Sequence, residues 1–261
     1  VKKRKVTLVG PFVGELFWEL FRFAPYVIGL KKSDLRKNFI VLSREERFDL
    51  YGQYASIFVP LRIKDDSKLT QECFRLKDLN IDLYKYLTKT FRDSFKERFE
   101  IEDHIYPDVG WRYRLKWQFP REKMDYDFKP REENGKFVDR SINDFKKLIL
   151  VEEIKPEYIE YLNSKNYHVI EIKSIESFLQ KNCLENVTFL GVAIELLKRC
   201  DFVVSKIDTI LGKMSLLIKK PLIVIKEEID MDSINLINPF RTKIISCREL
   251  EDGVEYYENN F

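Results

Sequence analysis

Two short segments combine residue types that chemistry needs with a strand-to-helix spacing that would present them. The first, Val9-Gly10-Pro11-Phe12-Val13-Gly14-Glu15, leaves a strand through glycines and enters a helix whose first turn carries a carboxylate. A carboxylate so placed can take a proton from a hydroxyl; it also fits the plain role of complementing a helix dipole. The second runs from Asp201 to Ser215, with a strand ending near Ser205, Asp208-Thr209 in capping position, and Gly212 and Lys213 inside the next helix. Thr209 and the helix N–H groups suit phosphate oxygens, and Lys213 adds positive charge. An ordinary capped helix reads the same way. Arg131, behind Pro130, and Arg140 offer guanidinium contacts to a diphosphate, or form a solvated turn in a chain rich in basic residues. Glu228 follows the apolar Pro221 to Ile225 run, where a carboxylate can accept hydrogen bonds from ribose hydroxyls.

A third cluster, Trp111-Arg112-Tyr113-Arg114-Leu115-Lys116-Trp117, alternates aromatic and basic side chains. That mixture suits stacking on sugars or bases while neutralising phosphate, or packing at an interdomain hinge with its charges in water. Other chemistries have little support. There is no GxGxxG and no GxxxxGK[ST], so neither a dinucleotide fingerprint nor a P-loop is present. Four scattered cysteines without CxxC and two histidines do not provide zinc spacing or a histidine-based triad. Asp230-Met231-Asp232 has the spacing of a metal-holding DxD but lies past the last strong strand, where a solvated loop is expected. The 46 basic and 43 acidic residues leave a net charge of +3, a balanced mixture rather than a dedicated polyanion surface. The apolar stretch from Val6 to Leu30 is broken by Glu15, Glu19 and Arg22, so no membrane span is expected. The basic opening residues run straight into a strand rather than a leader sequence, and a cytoplasmic location is expected.

These residues need elements to hold them. Val6–Val9 reads as a strand. Leu16, Leu20, Phe23, Val27 and Leu30 recur at steps of four and three, one face of a buried helix that Pro25 should kink or restart. Phe39–Leu42 and Ser56–Val59 read as strands around a helical piece at 45–51, completing a β-α-β-α-β run that implies a parallel sheet. Residues 69–99 look helical, with Leu76, Leu79, Leu83, Tyr86 and Leu87 as inner face. The second half is expected to open with a strand at Tyr126-Asp127-Phe128, followed by helices at 141–150 and 156–164 and a strand at 167–172. It should close with a helix at 194–200, a strand at 201–205, a helix at 210–218 and a strand at 221–225. The division expected is 1–122 and 123–261, two Rossmann-like α/β domains facing each other across a central cleft.

The order strand, Asp208-Thr209-Ile210-Leu211, amphipathic helix, Lys220-Pro221 and hydrophobic strand resembles the donor domain of heptosyltransferase-like glycosyltransferases of the GT-B fold. The amino end is similar to the same enzymes, whose first strand leads to a glycine-acid pair, in the place of Gly14-Glu15. The resemblance covers about the first 60 and most of the last 70 residues. Three features depart from it. The family's pair is usually Gly-Asp, the Gly and His that accompany its Asp-Thr are replaced by Ile210 and Lys213, and the chain is short for two domains.

The resemblance implies inverting, metal-independent transfer of a sugar from a nucleotide-sugar donor to a hydroxyl acceptor, with no cofactor. Glu15 would be the catalytic base. Ser205, Asp208, Thr209, Gly212, Lys213, Arg131, Arg140 and Glu228 would bind the donor; Gly14, Trp111, Arg112, Arg114 and Trp117 would bind the acceptor, a glycan or other hydroxyl compound, modified DNA included. A nucleic-acid-binding protein built on the Trp111–Trp117 cluster and a non-catalytic scaffold of the same fold are the alternatives.

Overall fold

The computed structural model describes residues 3–12, 16–61, 81–107, 118–142, 147–182, 184, 186–225 and 238–261. The chain forms two compact units, Val1–Pro130 and Arg131–Phe261.

The first unit is built on a parallel sheet of β1 (Arg4–Phe12), β2 (Phe39–Arg44), β3 (Ile57–Leu61) and β4 (Phe99–Ile105), in the order β3-β2-β1-β4. From Val6 to Phe12 every residue of β1 is buried, as a central parallel strand covered on both faces requires. The expected single helix after β1 is interrupted. A turn at Leu16–Trp18 passes into a π-helical turn, Glu19–Phe23, before helix α1 (Ala24–Ser33). Pro25 thereby falls in the first turn of α1, where its missing N–H costs no intrahelical bond. A short 3-10 turn (Glu45–Arg47) and α2 (Phe48–Tyr51) join β2 to β3, and α3 (Ile81–Lys96) leads back to β4.

Helix α3 buries Tyr84, Thr88 and Phe91. Its inner face is therefore turned from the one the leucines suggest: Leu83 and Tyr86 are exposed, and 76 and 79 lie outside the described residues. Strand β4 was not expected. It is an edge strand whose Glu100 and Glu102 face Lys5 of β1 at 3.7 and 2.8 Å; its apolar-charged alternation over Phe99–Glu102 lasts only four residues and is broken at Asp103.

Tyr126-Asp127-Phe128 forms no strand and stays with the first unit. Asp125 N–H donates to the Pro25 carbonyl (2.9 Å), Lys32 pairs with Asp125 and Asp127 (2.9 Å each), and the Tyr54 hydroxyl donates to the Asp127 carbonyl (2.6 Å). The division thus follows Pro130 rather than residue 122.

The second unit has a five-stranded parallel sheet of β5 (Leu148–Val151), β6 (His168–Glu171), β7 (Phe202–Val204), β8 (Leu222–Ile225) and β9 (Ile244–Cys247), ordered β6-β5-β7-β8-β9. Around it run α4 (Glu132–Ile142), α5 (Pro156–Ser164), α6 (Ile172–Asn182), α7 (Phe189–Arg199), α8 (Ile210–Leu217) and α9 (Leu250–Asn260). The helix expected over 141–150 is instead the end of α4 and, at Leu148-Ile149-Leu150-Val151, the interior strand β5. A four-residue apolar run buried on all sides carries no period to separate strand from helix. Ile149, Val151, Leu162, Phe202, Val204, Ile223 and Val254 form the core on one face of this sheet. Each such side chain contributes about 1.5–3 kcal/mol by leaving water.

Candidate functional site

In the second unit the chain leaves β5 to one side, through β6, and returns on the other through β7, β8 and β9. The carboxyl ends of β5 and β7 are the point where the order reverses, the place at which open parallel sheets receive ligands. A cavity of about 190 Å³ lies there. Ile154, Tyr158, Val204 and Ile225 give it an apolar lining, and Glu153, Lys155, Ser205 and Lys206 give it charge and hydroxyl.

The loop from β7 to α8 is fixed by the Thr209 hydroxyl. It accepts the Gly212 N–H at 3.0 Å, capping α8, and donates to the Lys206 carbonyl at 3.0 Å. Its contact with Ser205 Oγ at 2.7 Å must then be donated by Ser205, because a hydroxyl has one proton. The capacity that the sequence assigned to phosphate oxygens is thus engaged within the loop. A carboxylate also reaches the helix start: Glu152 accepts the Leu211 N–H at 3.2 Å, complementing the helix dipole. Gly212 is required here, since a Cβ on it would stand 2.2 Å from the Lys206 carbonyl oxygen. Ser205 is buried, Lys213 half-buried in the first turn of α8, and Asp208 exposed.

Helices α4 and α7 pack side by side. At their starts Asn134 accepts the Thr188 N–H (2.9 Å), and Thr188 caps α7; at their ends Asp139 pairs with Arg199, next to where β7 begins. Arg131 stands at the first of these ends, on the carboxyl edge of the sheet, where its guanidinium donates to Asn186 (3.3 Å). Arg140 follows Asp139 at the other end, roughly 12 Å along the helix from Glu132 at 1.5 Å per residue. The structure therefore separates Arg140 from Ser205 and Thr209, because α4 runs opposite to the strands.

In the first unit the order reverses between β1 and β4. Gly10 adopts φ 95° and lies so near β2 that a Cβ would be 2.1 Å from the Leu42 carbonyl oxygen. His104 of β4 bonds the Gly10 carbonyl through Nε2 at 2.8 Å, and the Tyr84 hydroxyl lies within 3.1 Å of the Pro11 and 2.9 Å of the Pro107 carbonyls. Burial lowers the His104 pKa against the pull of that carbonyl, so the neutral ring donates from Nε2. The ends of β1 and β4 are held together just before the Gly14-Glu15 segment. Gly14, Glu15, Trp111, Arg112, Arg114, Trp117 and Glu228 all lie outside the described residues.

One group of polar side chains was missed. Glu19, in the π-helical turn, is fully buried; it accepts from Ser43 (2.8 Å), Tyr51 (2.6 Å) and Arg47 (2.5 Å). Burial pushes its carboxyl above the usual range, opposed first by Arg47 and then by the two hydroxyls. In the sequence Glu19 is only an interruption in an apolar helix face; the signal available was a carboxylate four residues behind Glu15 in a segment otherwise built to be buried.

No protein-family model matches the sequence, and no curated protein matches it. Solved structures do. The Escherichia coli ADP-heptose lipopolysaccharide heptosyltransferase II aligns over 98% of this chain and 96% of its own, with a TM-score of 0.50 at 12% identity. The E. coli heptosyltransferase WaaC with ADP aligns over 99% of this chain and all of its own, with a TM-score of 0.50 at 11% identity. The fold is that of the GT-B heptosyltransferases. The alignments extend across both units of this chain, although the sequence resemblance was confined to its two ends.

Proposed function

We propose that this protein is a glycosyltransferase that moves a sugar from a nucleotide-diphosphate donor to a hydroxyl acceptor. The observation that carries the reading is the cavity at the β5/β7 reversal point in a chain with the heptosyltransferase fold. Two features of the fold neighbours point the same way: one is named for ADP-heptose, and the other was solved with ADP. In this reading the apolar lining takes the flat part of the nucleotide, while Lys206, Lys213 and Arg131 balance the diphosphate's charge. Thr209 and Gly212 act by holding the loop rather than by touching the ligand.

The chemistry proposed is a single displacement with inversion. Glu15 takes the proton of the acceptor hydroxyl, the acceptor oxygen attacks the anomeric carbon, and the bond from that carbon to the diphosphate oxygen breaks. The nucleoside diphosphate leaves with the electron pair, balanced by the cations and needing no metal. Its negative charge grows as the bond breaks, so those cations favour the transition state over the bound donor.

A thermal-shift screen of nucleoside diphosphates and nucleotide sugars tests binding, because a ligand of the folded state raises its stability with concentration. With the best donor, Glu15→Gln should bind as the parent does but turn over at least about a hundredfold more slowly. Unchanged turnover removes Glu15 as the base; no shift with any nucleotide removes the donor reading.

A further inference from the structure

Glu153 lines the cavity together with Lys206, and its carboxylate is shared between two lysines from different elements. Lys206, after β7, is 3.5 Å away; Lys173, in the first turn of α6 after β6, is 3.0 Å away and hydrogen-bonded. The residue's φ of 57° lies in the left-handed region, an uncommon conformation for a glutamate. The loop after β5 therefore places one carboxylate against cations contributed by the first turn of α6 and by the loop after β7. Lys173, followed by Lys206, holds that carboxyl below its usual range.

The three side chains are well exposed, with 40% of Glu153, 59% of Lys206 and 63% of Lys173 accessible. Exposed ion pairs of this kind are weak and exchange readily. A phosphate group carries more charge and more acceptor oxygens than a carboxylate, and so competes well for the same lysines. Glu152 repeats the theme next door, its carboxylate meeting the first turn of α8 where an anion is favoured.

We propose that Glu153 is an internal stand-in for a ligand phosphate: a phosphate-bearing ligand entering the cavity displaces its carboxylate from Lys206 and Lys173. The residue then sets a threshold for anions, since only a group that binds the two lysines better than the built-in carboxylate is retained. This inference rests on the donor reading for its natural ligand, a nucleoside diphosphate, although the displacement itself requires only a phosphate.

Titration calorimetry with inorganic pyrophosphate, ADP, UDP and adenosine, on the parent chain and on Glu153→Asn, separates the two ideas. Asparagine tolerates the left-handed backbone and removes the charge. Losing two exposed ion pairs corresponds to about two- to thirtyfold tighter binding of pyrophosphate and of the nucleoside diphosphate, with adenosine unchanged. Equal nucleoside-diphosphate affinity in both proteins overturns the displacement and leaves the donor reading standing. Tighter pyrophosphate binding in the variant, with no nucleotide bound by either protein, supports the displacement and removes the donor reading. No binding of any probe to either protein overturns both. Far-ultraviolet circular dichroism checks folding, and Glu153→Gln replaces Glu153→Asn in the same comparison if the latter does not fold.

Discussion

Glu19→Ala should destabilise the first unit severely. The substitution leaves the Arg47 guanidinium, itself 7% exposed, without its carboxylate, and removes the acceptor for the Ser43 and Tyr51 hydroxyls. Removing one member of a buried pair costs about 3–5 kcal/mol, because the remaining charge stays desolvated. For a folding unit the size of Val1–Pro130, between the ranges measured for small and larger domains, that corresponds to a fall of roughly 10–20 °C in melting temperature. The assay can be made specific to this unit. The chain's three tryptophans, Trp18, Trp111 and Trp117, all lie before Pro130, so tryptophan fluorescence follows the unfolding of the first unit alone. Glu19→Leu combined with Arg47→Met removes both charges at similar volume and should recover the part of the loss owed to the unpaired guanidinium, since a buried ion pair contributes little net stability over apolar packing, while the Ser43 and Tyr51 hydroxyls still lack the Glu19 acceptor. A fluorescence midpoint for Glu19→Ala within about 2 °C of the parent, or a double variant as unstable as the single one, refutes the reasoning.

Two other outcomes follow from geometry and from burial. Gly212→Ala places a methyl 2.2 Å from the Lys206 carbonyl oxygen and should cost about 1–3 kcal/mol; the loss should appear in far-ultraviolet circular dichroism with little change in tryptophan fluorescence, and a parent-like melt contradicts it. His104 has its pKa lowered chiefly by burial, so the unfolded chain takes a proton near pH 6.5 that the folded chain resists. Its contribution is present above that pH and is lost as pH falls towards the lower folded value. His104→Gln should therefore flatten the acid-side loss of stability by at most about 1.4 kcal/mol per pH unit, and an unaltered slope in urea unfolding between about pH 7.5 and 5.5 rejects this account.

Much of the fold was legible because it is written in period and punctuation. The Pro156–Ser164 helix was read to the residue, and the β7-α8-β8 succession to within one or two residues at each end, where Thr209 and Pro221 mark the boundaries. The failures have distinct physical origins. Leu148–Val151 is too short and too uniformly apolar to show a period, and the Phe99–Ile105 alternation runs for only four residues before Asp103 breaks it. Tyr126–Phe128 looked like a strand because aromatic residues favour one, but Lys32 and Tyr54 hold the neighbouring Asp127 against the first unit instead. Near the cavity, the capping of α8 at Thr209 was legible from spacing, whereas Glu152, Glu153 and Lys173 converge through the crossover order of the sheet, which no local pattern encodes.

The Glu19–Phe23 turn has a consequence for how this protein can change. Inserting the wider turn shifts every later residue of the segment by a fraction of a helical repeat, so the four-and-three spacing on either side no longer belongs to one continuous face. Glu19 is anchored at that step to β2 and α2 through Ser43, Arg47 and Tyr51, while Pro25 fixes where the regular helix resumes. A single-residue deletion between Trp18 and Pro25 could restore an unbroken α-helix, but would aim Glu19 away from its three partners. Sequence length in this stretch is therefore constrained more tightly than residue identity, and homologues that differ here should gain or lose the buried carboxylate, its arginine and the extra helical residue together.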